Sequence, residues 1–283
     1  MDRGGCRLNG GGGESQGSED NRPGMGSHSG MITLEDLESF SEDQLSDSGN
    51  GSLEEGETME EEDENQDRLL HYWQDVARGH RVEVPGDMAE PIQQLTSNNN
   101  GSHTRERVPF SLITRKEKCG DVHYEKRHYE KAHWACITVS EETYEQSICY
   151  GFMRIMRYIC QQNATGNYLG MTLPIVTVVR TDATRRDLAR SVTVGYFLPE
   201  QHQAQPPQPI DSDITIEEWS AAIIYARAFT GPTNEVTIMS EIQAMAEALD
   251  TPDDCVNDTF IIAGYTNPAH ANRQNEIWFM EKR

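Results

Sequence analysis

The chain has 283 residues and a formal net charge of −23, with 24 Lys and Arg against 47 Asp and Glu. That length accommodates two average domains, but one domain plus a tail accounts better for where the apolar residues lie. The acidity argues against nucleic acid as a partner, because phosphates would be repelled and no basic stripe interrupts it.

Residues 1–66 are dominated by Gly, Ser, Asp and Glu, and from Met31 to Asp67 there is no Lys or Arg. Such a segment buries too little apolar surface to offset an ordering entropy of roughly 1–2 kcal/mol per residue, so a disordered acidic tail is predicted. Within it, Leu34, Leu37 and Phe40 of "ITLEDLESF" have helix-like spacing and offer a point where a protein partner could order the tail. The N-terminus lacks an apolar leader, and no run approaches the roughly 18 apolar residues of a membrane span, which predicts a soluble, unsecreted, cytoplasmic protein. Its six cysteines form no CxxC pair and are expected to be reduced thiols. Residues 67–104 are predicted to carry a peripheral helix with Leu70, Trp73 and Ala77 on one face, then the linker "SNNNGS".

From about Val108 the texture becomes globular, and one order of elements occurs twice. "PFSLITRK" and "VHYEKRHYEKAHWACITV" alternate β-branched or aromatic residues with polar ones and read as strands. A helix follows, in which Ile148, Phe152, Ile155 and Ile159 form one apolar stripe. Then come two strands, "MTLPIVTVVR" and "RSVTVGYFLP". After "PEQHQAQPPQP" the order returns. "ITIEEWSAAIIYARAFTG" reads as a strand pair, Asn234 to Leu249 as a helix with Val236, Met239, Ile242, Met245 and Leu249 inward, and "TFIIAGY" and "NEIWFME" as the closing strands. Strand pair, helix, strand pair, twice over, predicts an α+β domain over 105–283: a distorted β-barrel of two antiparallel sheets with two flanking helices. A helix crossing a sheet edge is a place for a small-molecule site.

Catalytic signatures do not support an enzyme: GxSxG, Walker A, GxGxxG and HExxH are all missing. Glu217 and Glu218 adjoin, but neighbours on a strand point to opposite faces and make no acid/base pair.

Four stretches in one order carry a family resemblance: "VHYEKRHYEKAHWACITV", "GNYLGMTLPIVTVV", "SVTVGYFLPEQHQAQPPQPIDSDITIEE" and "FIIAGYTNPAHANRQNEIWFMEK". Together they resemble the SOUL or haem-binding-protein (HEBP) family over roughly Val108 to Arg283. The resemblance implies non-enzymatic binding of haem or a related tetrapyrrole in the cytosol, for buffering, transport or sensing. It puts the porphyrin beside the first helix and the loop before the last strand, at Phe152, Met153, Arg154, Met156, Arg157, His270 and Arg273. Apolar side chains would cover the ring, and Arg forks would take its carboxylates. The family's Tyr-Glu-x-Arg-His-Tyr strand places a candidate axial ligand for iron at His128, whose other reading is a hydrogen-bonded sheet residue. Departures from the pattern are Cys149, where some members have a basic residue, and His270, near a position where others have Lys. Trp134, Trp219 and Trp278 read as packing residues. An alternative function is a protein-interaction adaptor acting without haem, through the tail or through Ile238, Ile242, Met245 and Leu249 on the second helix. Nothing in residues 1–104 offers a pocket, so their deletion is expected to leave haem binding intact.

Overall fold

A computed structural model describes residues 70–71, 74–75, 77–92, 105–181, 187–265 and 274–282. The tail expected over 1–66 lies outside these residues, as do Trp73, His270 and Arg273. The strands are β1 (Glu106–Arg107), β2 (Phe110–Lys118), β3 (Asp121–Tyr129), β4 (Ala132–Ser140), β5 (Thr172–Leu173), β6 (Ile175–Arg180), β7 (Ser191–Phe197), β8 (Ile214–Trp219), β9 (Ala222–Thr230), β10 (Cys255–Gly264) and β11 (Gln274–Glu281). Helix α1 spans Tyr144–Cys160 and α2 spans Glu235–Ala248, while one helical turn covers Glu200–Gln203.

Among the described residues nine strands form a single sheet in the order β2-β3-β9-β11-β10-β6-β7-β4-β8, and β1 pairs with β5 in a small parallel ladder. The α+β class and the duplication therefore hold, but the two sheets expected from it are one. The order shows why. The first unit is β3, β4, α1, β6, β7 and the second is β8, β9, α2, β10, β11. Each unit gives its first strand to the other, β3 to β9 and β8 to β4, and the units join through the antiparallel β6 and β10.

This pairing forces the sheet to curl. Strands β3 and β4 stand six places apart, roughly 29 Å across a flat sheet at about 4.8 Å per strand. Yet Glu130 and Lys131 alone connect them, and three residue steps reach at most about 11 Å. Ser220 and Ala221 make the matching short connection from β8 to β9, also six places away. The sheet becomes a trough with its outer edges, β2 and β8, not bonded to each other.

Both helices pack on the outside of the trough, α1 on β4 and β7, α2 on β11 and β3. Helix α1 begins with a capping box: Thr143 accepts from the Gln146 amide, and Gln146 accepts from the Thr143 amide. Gly151 allows its close approach to the sheet, since a Cβ there would lie 2.8 Å from Val194 Cγ2. The helix is buried on nearly all sides because Ala77, Val82, Val84, Met88 and Ile92 join its cluster from the face away from the sheet. Arg157 pairs with Asp87 at 2.5 Å and Gln161 donates to Glu90 at 2.8 Å, which seats that segment. Helix α2 packs through Ile238, Ile242, Met245 and Leu249. The sequence reading placed Val236 inward, but it is 80% exposed: the stripe that meets the sheet starts two residues later, at Ile238. No described helix is long and apolar enough to cross a membrane.

Candidate ligand trough

Side chains alternate across each strand, and the faces turned away from the helices line the trough. From β3, β9, β10 and β11 come Tyr129, Ile224, Ile261, Trp278 and Met280; from β4, β7 and β8 come Trp134, Phe197 and Trp219. They enclose a cleft of ≈770 Å³, within the roughly 300–1,000 Å³ typical of small-molecule sites. Its aromatic walls are ordered by ring contacts. Trp134 and Trp219 stack with centroids 4.6 Å apart, Phe197 meets Trp134 edge-on at 5.3 Å, and Tyr129 packs on Trp278 at 5.0 Å. The short connections that curl the sheet supply Glu130, Lys131 and Ser220 to the mouth, beside Glu106, Arg107 and Glu200.

Charge is held at one end of the concave face. Arg127 reaches Glu276 through two hydrogen bonds of 2.8 and 2.7 Å and Glu125 through another of 2.8 Å, and its guanidinium lies 4.4 Å from the Phe110 ring centroid. Burial opposes charge on Arg127, but Glu276 outweighs it and the guanidinium stays firmly protonated. Burial pushes the Glu125 carboxyl up, yet the hydrogen bonds from Arg127 and Arg115 prevail and hold it below its ordinary value. The Tyr129 phenol is pushed up to about 12 by burial, and that of Tyr265, which donates to Glu276 at 2.9 Å, is also raised by burial. Both stay protonated at neutral pH. On the opposite wall Cys136 is a buried thiol whose pKa is raised by burial and then by Glu217, so it is no nucleophile.

Residues 105–280 match the family model described as SOUL heme-binding protein, well over half of the chain. The chain belongs to the SOUL family. Among the relatives it resembles, Heme-binding protein 1 of Sus scrofa is 26% identical over 174 residues, covering 61% of this chain and 91% of the pig protein. Heme-binding protein 2 of Homo sapiens is 27% identical over 161 residues, covering 56% and 78%. Solved structures align loosely; a transcription regulation protein of Staphylococcus aureus MU50 has a TM-score of 0.35 at 11% identity, covering 56% of this chain and 98% of its own.

The described residues singled out from the sequence as a porphyrin site lie on the side of the sheet away from the cleft. Phe152, Met153 and Met156 lie in the core around α1 at 3, 4 and 1% exposure. Arg154 is bonded to Asp211 at 2.6 Å, twice, and to Asp213 at 2.6 Å; Arg157 is the partner of Asp87. Their guanidinium groups thus already face carboxylates of this chain. His128 pairs with Ile223, beside the Tyr129–Ala222 pair, so the imidazole and the Tyr129 ring point to opposite faces of β3. Its Nδ1 lies 3.5 Å from Glu130 Oε1. No histidine is among the described residues lining the cleft, and none of them forms a cluster of three or more His, Cys, Asp or Glu suited to a metal ion.

The three tryptophans read as packing residues are where the sequence reading fell short: all three line the cleft. Trp134 and Trp278 are buried as well, and a residue can both fill a core and wall a cavity. The available signal was the parity of the strands, which sets Tyr129, Trp134, Phe197, Trp219 and Trp278 on one face.

Proposed function

We propose that this chain binds haem or a related tetrapyrrole, without catalysis, in the trough of a distorted barrel left open along β2 and β8. The observation that carries this is the aromatic cleft of ≈770 Å³ formed by the domain that matches the SOUL model. Stacked and edge-on rings offer a flat macrocycle broad apolar contact, and Arg107 stands at the mouth where a ring carboxylate would emerge. The names of the relatives, heme-binding proteins 1 and 2, support the ligand class. The ring is placed in the trough in preference to α1 because the apolar residues of α1 are covered by 77–92 and its two arginines are paired. With His128 on the other face, binding rests on contact and charge and does not use the His128 imidazole as an iron ligand. Cytosolic buffering, transport or sensing fits such a reversible, non-catalytic site. The adaptor reading loses ground at the second helix, because the stripe it would use on α2 is packed against the sheet; its other route, the acidic tail, lies outside the described residues.

The test is a haem titration followed by Soret absorption. Saturable binding should survive His128→Ala and the double change Arg154→Ala, Arg157→Ala, and should weaken by about tenfold or more in Trp219→Ala, whose ring is a partly exposed wall. Loss of binding in the arginine double variant, with Trp219→Ala unaffected, would move the ring to α1.

A further inference from the structure

The concave face continues past the aromatic cleft into a second, polar compartment. Side chains two apart on a strand follow one another at about 7 Å on the same face. On β11, Met280 and Trp278 line the aromatic cleft, and Glu276 and Gln274 line the next one; on β9, Ala222 and Ile224 are followed in the same way by Ala228 and Thr230. The second compartment measures ≈620 Å³, and Phe110, Arg127 and Tyr265 complete its walls. The two differ in charge. Glu106, Glu130, Glu200 and Glu281 line the aromatic cleft against Arg107 and Lys131, whereas the polar compartment sets Arg107 and Arg127 against Glu276 alone. Arg127 is engaged by Glu276 at 2.7 Å and Lys131 by Glu218 at 3.3 Å. Arg107 lines both compartments. Among the described residues its guanidinium meets no carboxylate, and it lies 5.9 Å from the centroid of the Tyr265 ring, on the polar side. Its backbone is nevertheless fixed: Arg107 pairs with Leu173, the Val108 amide donates to the Leu173 carbonyl at 2.9 Å, and the Glu106 carboxylate accepts from the Glu200 amide at 2.9 Å. A fixed backbone under an unpaired guanidinium is preorganised for an anion.

We propose that the polar compartment is the carboxylate subsite of the trough, with Arg107 as its anchor, so that the ring enters with its carboxylate edge toward Thr230 and Gln274 and its apolar edge against Trp134 and Trp219. This rests on the reading that the ring sits in the trough, and it deepens that reading by fixing which edge goes where. The field along the concave face acts in the same sense, since carboxylates are repelled by the acid-lined cleft and drawn past it to Arg107. A ring turned the other way would set its carboxylates beside Glu130 and leave Arg107 over an apolar edge. The ligand class is a flat macrocycle with carboxylates grouped on one edge, and one guanidinium sets its orientation.

The experiment titrates protoporphyrin and its neutral dimethyl ester, both metal-free, into the full chain, followed by Soret absorption and tryptophan quenching. Rings without metal take iron ligation out of the comparison. The ratio of acid to ester affinity should fall about tenfold in Arg107→Gln and about threefold in Arg107→Lys, which keeps the charge without the fork. Thr230→Glu puts a carboxylate into the polar compartment at an exposed position and should lower the same ratio about threefold. High salt should shrink the ratio in the unaltered chain and much less in Arg107→Gln. A ratio indifferent to Arg107→Gln or to Thr230→Glu, with circular dichroism unchanged, overturns the carboxylate subsite and leaves the trough as the ring site. Equal weakening of acid and ester in Arg107→Gln overturns it as well, because Arg107 would then act only as part of the wall. Failure of both ligands to quench the tryptophans of the unaltered chain removes the trough reading itself, and the subsite with it.

Discussion

Arg127 is the charged side chain on which the concave face depends. Its guanidinium is buried between Glu125 and Glu276, and four of its contacts, with Glu125, Glu276, Tyr129 and Phe110, converge from three strands. Replacing it by Leu leaves two carboxylates without their shared cation at low exposure, a change that costs about 3–5 kcal/mol when a buried pair is broken. Chemical denaturation of Arg127→Leu should show a loss of that size. The pH profile should move as well. Glu125 has a folded pKa below its unfolded value near 4.5, so its contribution to stability is full above that value and fades as pH falls through the depressed folded one. Asp211, held down by Arg154, behaves likewise. Without Arg127 the Glu125 depression shrinks, and with it the stability lost on acidification, so the gap between the two proteins should be widest above the unfolded value and narrow as pH falls through the depressed folded one. A gap that stays constant across that range would show that Arg127 does not set the titration of Glu125.

At the scale of elements, the contact between α1 and β7 decides how closely the helix caps the trough. Gly151 faces Val194, and an added Cβ would meet its Cγ2 at 2.8 Å, on a β-branched side chain with little freedom to turn away. Alanine gains about 1 kcal/mol in helix propensity over glycine. Overpacking costs about 1–3 kcal/mol and wins, so Gly151→Ala should lower the denaturation midpoint; a rise would mean that β7 yields freely. Much of this level was legible in the sequence. The stripe Ile148, Phe152, Ile155, Ile159 announced α1, and the repeated order of elements announced the duplication. Less legible was which strands pair. Nothing in the letters of β3 and β8 says that each joins the other unit, because pairing partners far apart in sequence are selected by the joint arrangement of all nine strands. The trough was hidden for the same reason: its tryptophans come from strands whose adjacency only that arrangement creates, and each alone looks like a core residue.

For the whole molecule, the consequence of this packing lies in where the chain can be cut. Among the described residues none before Glu106 lines the cleft, so ring binding is expected not to require residues 1–104 directly. Stability is another matter, because Ala77, Val82, Val84, Met88 and Ile92 are each at most 4% exposed and complete the cluster around α1. Removing them would bare Met153, Met156 and Cys160 to water and strip Arg157 of Asp87. Fully burying one side chain of Val, Ile or Met size contributes about 1.5–3 kcal/mol, so the loss should be on the order of 5 kcal/mol or more. Two truncations separate these effects. Deletion of 1–66 should leave both the thermal midpoint and the porphyrin affinity unchanged. Deletion of 1–104 should lower the midpoint by 10 °C or more, on the scale of roughly 2–4 °C per kcal/mol, while whatever remains folded still binds the ring. If the shorter deletion already weakened binding, the acidic segment would have to reach the trough, and the domain boundary at 66 would be misplaced. If the longer one left the midpoint unchanged, the packing of 77–92 on α1 would contribute nothing to the fold.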